Sequence, residues 1–258
     1  MDTTRYLYAR HTGNLAVHIY ANRVLMGEDA ADMVCTTINK LHRQQEFVNI
    51  IFASAPSQTE FLASLAEKTI IDWRRVNAFH MDEYIELPEN DSRKFASYLR
   101  ENIFDKLNFH TVKYIDGNAP DIGAECSRYA GLLAQYPTDI VCMGIGENGH
   151  IAFNDPPVAD FNDPLTVKMV KLDAPCRQQQ VNDGCFADLS EVPAYAITLT
   201  IPALMEGKYI YCIVPGKKKA RAVYNTVNGE IIEKYPSTIL RRHANAVLFL
   251  DKNSSALL

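Results

Sequence analysis

Short apolar runs alternate along this chain with longer stretches whose apolar residues recur every three or four positions. That alternation constrains the fold more than any other feature. Ala31, Val34, Cys35, Ile38 and Leu41 mark a helix over 28–45, and a buried strand follows over 47–52. Residues 53–57 read as a loop, 59–68 as the next helix and 76–80 as a second strand. Phe95, Tyr98, Leu99 and Ile103 share one face of a helix over 92–107. Residues 112–115 alternate weakly as a strand, 121–135 form a helix, and 139–144 form a strongly apolar strand. Strands over 195–201, 209–214 and 246–250 complete the pattern, with a helix over 217–227. Strands separated by helices of this length demand right-handed crossovers, so the expected class is α/β: a mostly parallel sheet with helices on both faces. No repeat, low-complexity tract or Gly/Ser/Pro-rich linker divides residues 1–258, which predicts a single domain.

Composition narrows the function classes. Lys plus Arg number 26 against 31 Asp plus Glu, a formal net charge of −5. No global field therefore draws the chain to nucleic acid or to an anionic membrane. No stretch approaches the ~20 apolar residues that span a bilayer, and residues 1–6 lack the basic-then-apolar order of a secretory signal. The six cysteines, Cys35, Cys126, Cys142, Cys176, Cys185 and Cys212, form no C-x-x-C pair. They read as reduced thiols rather than disulfides or zinc ligands, and the expected location is cytoplasmic.

In open parallel sheets the ligand site lies outside the carboxyl ends of the strands. The residues after the 139–144 strand include Gly144, Gly146 and Gly149 in a G-x-G-x-x-G spacing. A dinucleotide fingerprint would need a helix opening at those glycines, so that a pyrophosphate could sit on its N-terminus. The apolar stretch that follows is short and ends at Pro156-Pro157, which argues against one. The glycines instead let the backbone turn sharply beside a small ligand. They deliver His150 to the mouth of the sheet, with Asn148 and Asp155 near it in sequence. Histidine suits proton transfer near neutral pH, and a neighbouring amide or carboxylate fixes its tautomer. The blander alternative is a structural histidine satisfied by a turn carbonyl; the glycine setting at a strand end favours function.

Asp82 and Glu83 follow the 76–80 strand. Continued alternation sends them in opposite directions, so one faces the site. A partly desolvated carboxylate there can remove a carbon-bound proton beside a carbonyl. A helix N-cap or a surface charge pair is the alternative. His80, Asp82, His150 and Asp155 lack the i, i+4 spacing of zinc hydrolases, and neither a metal nor a cofactor is expected.

Taken together, the two segments resemble the glucosamine-6-phosphate deaminase/isomerase family, which is related to the 6-phosphogluconolactonases. Residues 79–84, Phe-His-Met-Asp-Glu-Tyr, look like that family's [NH]-M-D-E-Y segment. Residues 144–156 look like its G-[IV]-G-x-[DN]-G-H-I-[AG]-F-N-E-P segment. Residues 116–120 and 192–196 also resemble family stretches in the right order, and the similarity runs from about Phe47 to Leu250. The resemblance implies a Rossmann-like domain that couples aldose–ketose isomerisation to loss of ammonia, with no redox cofactor. By analogy Asp82 moves the proton between C2 and C1, and His150 opens the sugar ring, oriented by Asn148 and Asp155. Lys219 matches the family lysine that binds the sugar phosphate, and Ser54, Ser57, Gly146 and Gly149 belong to the expected binding loops. The partner implied is a small sugar phosphate, and a homo-oligomer is compatible with it.

Four positions or segments depart from the pattern. Asn148 stands where many members have Asp, and an amide orients His150 without adding charge. Asp155 replaces a Glu and is one methylene shorter. The loop 54–58, Ser-Ala-Pro-Ser-Gln, replaces a Gly-rich phosphate loop of the T-G-[GS]-[ST]-P kind. Ala55 does not favour positive φ, and Pro56 has no N–H to donate. Residues 176–186 offer Arg177 as the nearest counterpart of a second phosphate-binding arginine. The expected function is therefore deamination and isomerisation of an amino-sugar 6-phosphate. A sugar-phosphate lactonase and a non-catalytic sugar-phosphate-binding regulator are the alternatives.

Overall fold

The computed structural model describes residues 5–258; residues 1–4, part of the segment read for a targeting signal, lie outside the described residues. The chain opens with a hairpin, β1 (Tyr8–Thr12) and β2 (Leu15–Tyr20), then α1 (Arg23–His42), β3 (Val48–Phe52), α2 (Thr59–Ala66), β4 (Val76–His80) and β5 (Asp82–Tyr84). Next come α3 (Phe95–Leu99), β6 (Thr111–Lys113), α4 (Ile122–Gln135) and β7 (Ile140–Met143). β8 (Val167–Lys171), α5 (Ala174–Asn182), β9 (Tyr195–Leu199) and α6 (Ile201–Met205) lead to β10 (Tyr209–Val214), α7 (Ala220–Asn228) and β11 (Ala246–Asp251).

Eight strands form the main sheet in the order β1-β2-β11-β10-β7-β3-β4-β6. Only the β1–β2 hairpin is antiparallel; the other neighbours pair in parallel, as the strand–helix alternation predicts. Successive residues of the central strands face opposite cores. Ile51, Phe79 and Val141 pack with α4 and α7 on one face. Ile50, Ala78 and Ile140 pack with α1 and α2 on the other. A strand buried on both faces reads as a continuous apolar run, which is why these strands were legible.

The strand expected over 195–201 is present but belongs elsewhere. β9 pairs antiparallel with β5 and β8 in a separate three-stranded sheet. Periodicity reports that a segment is extended, not which neighbour it finds. The expected helix over 92–107 is shorter and changes character. α3 covers five residues and continues as a π-helical turn over Arg100–Phe104, where the Asp105 N–H reaches the Arg100 carbonyl at 3.1 Å. The helix expected over 217–227 opens as a 3₁₀ turn, Lys217–Lys219. α1 starts earlier than expected because the Asn22 side chain caps it, accepting the Leu25 N–H at 3.0 Å.

The chain leaves β3 outward through β4 and β6, then returns to β7 on the other side of β3. Between β3 and β7 the winding reverses, and the loops at the carboxyl ends of these strands part to leave a crevice.

Candidate active site

A cleft of about 510 Å³ opens there. Its walls come from the loops after β3, β4, β7 and β10, together with residues of α3 and α5. The cleft lies outside the carboxyl ends of the strands, the end of the sheet to which the strand–helix alternation pointed.

Asp82 begins β5 and lines this cleft, only 7% exposed. Its backbone is fixed by His80. The Ile115 N–H donates to His80 Nε2 at 2.9 Å, so the ring proton sits on Nδ1 and is donated to the Asp82 carbonyl, also at 2.9 Å. His80 is fully buried, and burial pushes its pKa down to about 4. It is a neutral strut. Burial first, and the neighbouring Glu83 charge second, push the Asp82 carboxyl well above the usual carboxylate range.

Glu83 takes the other course that alternation predicts. Its carboxylate accepts the N–H groups of Tyr84, Phe95 and Ala96 at 3.0, 3.0 and 2.9 Å. It thus caps α3 from a different element, since α3 has no side-chain cap of its own. Burial pushes Glu83 up to about 7 against the pull of those N–H groups.

The loop after β7 brings its three polar residues together. His150 Nδ1 lies 2.8 Å from Asn148 Oδ1 and 2.9 Å from Asp155 Oδ1. Both are acceptors, so Nδ1 carries the proton and the neutral ring keeps its lone pair on Nε2. Among the described residues Nε2 has no hydrogen-bond partner. Asn148 Nδ2 donates to Asp155 Oδ1 at 2.9 Å, so the shorter aspartate does reach its partners. Burial raises the Asp155 carboxyl, but His150 and the hydrogen bonds it receives outweigh that and hold it below the usual range. Gly146 is required sterically: a Cβ there would overlap the His150 ring. Gly149, at φ +92, makes the turn that carries His150 forward. No helix opens at these glycines, and residues 151–154 form a tight turn instead.

The loop after β3 needs no glycine. Ala55 is extended, with φ −158 and ψ 155, and Pro56 opens a 3₁₀ turn where a missing N–H is harmless. Ser54 and Ser57 both line the cleft. The Ser54 hydroxyl is buried without a partner, whereas Ser57 accepts from Gln58 Nε2 at 3.1 Å. Lys219 lies across the cleft in the turn after β10, 8% exposed. Burial pushes its ammonium pKa down, with Asp183 and Glu147 pulling part of the way back.

Arg177 is not brought into this cleft. Its guanidinium donates to the Leu189 and Val192 carbonyls, both at 2.7 Å, and so fastens the 189–192 segment to α5. Gln179 and Gln180 of α5 line the wall instead, as do Arg93 and Tyr98. Arg93 is held by Asp91 and Glu191 at 2.6 and 3.0 Å. Sequence reading missed Gln179 and Gln180 because α5 has no apolar stripe. Its signals were only the capping Asp173 and the following Pro175.

His150, Asp155 and Cys176 place one potential ligand atom each within 4.8 Å of one another. The Nδ1–Oδ1 separation of 2.9 Å is that of a hydrogen bond. It is shorter than the roughly 3.3 Å between ligands on a tetrahedral zinc ion. The group is arranged to hold a proton.

A family model described as glucosamine-6-phosphate isomerases/6-phosphogluconolactonase matches residues 21–249. The chain is 34% identical over 230 residues to glucosamine-6-phosphate deaminases of Bacillus cereus (strain G9842) and Bacillus thuringiensis (strain Al Hakam), covering 89% of this chain and 86% of each relative. Among solved structures, a monomeric glucosamine-6-phosphate deaminase superposes with a TM-score of 0.86 at 26% identity, over 94% of this chain and 99% of that one. A 6-phosphogluconolactonase from Thermotoga maritima shares the fold, with a TM-score of 0.76 at 18% identity over 92% and 100% of the two chains. On that identity and coverage, the chain belongs to the glucosamine-6-phosphate isomerases/6-phosphogluconolactonase family.

Proposed function

We propose that this chain, acting as one unit over residues 1–258, converts an amino-sugar 6-phosphate to a ketose 6-phosphate and ammonia. The substrate is glucosamine 6-phosphate, giving fructose 6-phosphate, or its galactosamine equivalent. One observation carries the reading: Asp82, His150 and Lys219 line a single cleft although they come from distant parts of the chain. An amino-sugar phosphate is cationic at its amine and anionic at its phosphate. The cleft offers a buried carboxylate from the β4 end of the sheet and a buried ammonium from the β10 end.

The geometry supports the following roles. His150 takes the sugar hydroxyl proton on Nε2 and passes it to the ring oxygen, opening the ring. Asp155 and Asn148 hold the imidazole in that tautomer, and Asp155 stabilises the cation that forms. Asp82 then moves the proton from C2 to C1, and water replaces the nitrogen at C2, which leaves as ammonia. A raised proton affinity suits Asp82 to hold that proton between the two carbons. Lys219 and the Ser54 and Ser57 hydroxyls receive the phosphate, whereas the N–H groups of Gly146 and Gly149 already donate to the His150 and Gly146 carbonyls and shape the loop instead. Proton transfers and hydrolysis alone balance the reaction, so it calls for no cofactor.

This reading assigns the chain to amino-sugar metabolism, including N-acetylglucosamine catabolism. No helix among the described residues is long and apolar enough to cross a membrane, and the six cysteines are free. Both facts support a cytoplasmic setting. The test is an ammonia-release screen over glucosamine and galactosamine 6-phosphates and their unphosphorylated forms. Ammonia and a ketose 6-phosphate are expected from a phosphorylated sugar only. Hydrolysis of a phosphogluconolactone without ammonia release would assign a lactonase, and binding without turnover a regulator.

A further inference from the structure

α5 meets the His150 loop at two points. Gln179 Oε1 accepts the Glu147 N–H at 2.7 Å. Cys176, 1% exposed, brings its sulfur within 4.8 Å of both a His150 ring nitrogen and an Asp155 carboxylate oxygen. Asp173 caps the helix by accepting the Cys176 N–H at 2.8 Å, which fixes the backbone that carries the thiol. Cys185, by contrast, lines the open cleft.

The surroundings select the form of the thiol. Burial, followed by the charges of Asp155, Asp173 and Asp82, keeps it protonated. A protonated thiol beside a carboxylate is a donor. Asp155 lies 2.9 Å from His150 Nδ1 and accepts from Asn148 Nδ2, and the Cys176 sulfur is within 4.8 Å of it. The charged or titratable groups facing this cluster are His150 from the loop after β7, Cys176 and Asp173 from α5 and its cap, Asp82 and Tyr84 from β5, and Lys219 from the turn after β10.

We infer that Cys176 is a positioning residue for the proposed reaction, its S–H holding the Asp155 carboxylate ionised and oriented against His150. The inference rests on the acid–base role proposed for His150. It separates a donor from a packing atom. Serine keeps a donor, whereas valine fills the space of the sulfur and has none. A sulfur that served packing alone would favour valine, since a hydroxyl without a partner is costly in an apolar site. A donor reverses that order.

The experiment follows the Asp155 side-chain carboxyl 13C signal, assigned with Asp155→Asn, through a pH titration of the ligand-free protein. It does so in wild type, Cys176→Val and Cys176→Ser. The valine variant is expected to raise the Asp155 midpoint by about one unit and to lower kcat about tenfold with KM little changed. The serine variant is expected to keep the wild-type midpoint and most of kcat. A wild-type midpoint in Cys176→Val, or a midpoint in Cys176→Ser moved as far as in Cys176→Val, overturns the assignment. The titration uses no substrate, so its failure is distinguishable from failure of the amino-sugar reading, which ammonia release decides.

Discussion

Adjacent in the chain and one methylene apart in length, Asp82 and Glu83 do unlike work. The first lines the cleft, and the second is consumed by three backbone N–H groups. Asp82→Asn keeps the shape and removes the base. We expect kcat for ammonia release to fall about 10²- to 10⁴-fold with KM nearly unchanged; a variant with full kcat would remove Asp82 from the chemistry. Gly146→Ala acts sterically, because the new Cβ overlaps the His150 ring. The ring must swing away, so kcat should fall at least about tenfold while the far-UV circular dichroism stays native. At this scale the sequence was most informative. Alternation said that one acid of the pair would face the site, and the glycines marked the histidine. It failed at Arg177, since nearness in sequence to an expected position does not say where a long side chain finds its acceptors.

At the scale of elements, the missed pieces are short or polar. β5 has three residues, too few to show a period. The site depends on these pieces nonetheless. Glu83 joins β5 to α3, which contributes Phe95 and Tyr98 to the cleft wall. That cap makes a testable pH dependence. Glu83 is raised from 4.5 to about 7 in the folded state. The folded protein therefore holds this proton where the unfolded chain has lost it, and stability falls as pH rises from about 4.5 to about 7. The loss is on the order of 3 kcal/mol. His80, lowered from 6.5 to about 4, titrates with the opposite sign over much of the same range, while the raised Asp82 carboxyl titrates with the same sign, so the wild-type profile is a composite. The difference between Glu83→Gln and wild type reports the Glu83 titration together with the part of the Asp82 shift that the Glu83 charge causes, and both change stability in the same direction. In urea unfolding, Glu83→Gln should gain stability relative to wild type on going from about pH 5 to pH 8. A difference that is flat with pH would show that Glu83 is not buried as described.

Across the whole molecule, one sheet divides two apolar cores, and every central strand contributes to both. Damage to one core should therefore unfold the other. Ile51, 1% exposed, lies in the core with α4 and α7, while the single tryptophan, Trp73, lies in the opposite core. Ile51→Ala is expected to cost about 2–5 kcal/mol. Trp73 fluorescence and far-UV circular dichroism should still report one coincident urea transition, and two separate transitions would divide the proposed single unit. What the chain determined by itself was local. Apolar period, strand–helix alternation and the glycine-flanked histidine depend on neighbours a few residues away, and they specified the parallel sheet and the end of it that holds the cleft. Only the tertiary structure decided that β9 leaves the main sheet, that Glu83 caps a helix outside its own strand, and that Cys176 packs beside His150 and Asp155. Each of those depends on which distant groups satisfy a buried polar atom, and no periodicity along a chain records that.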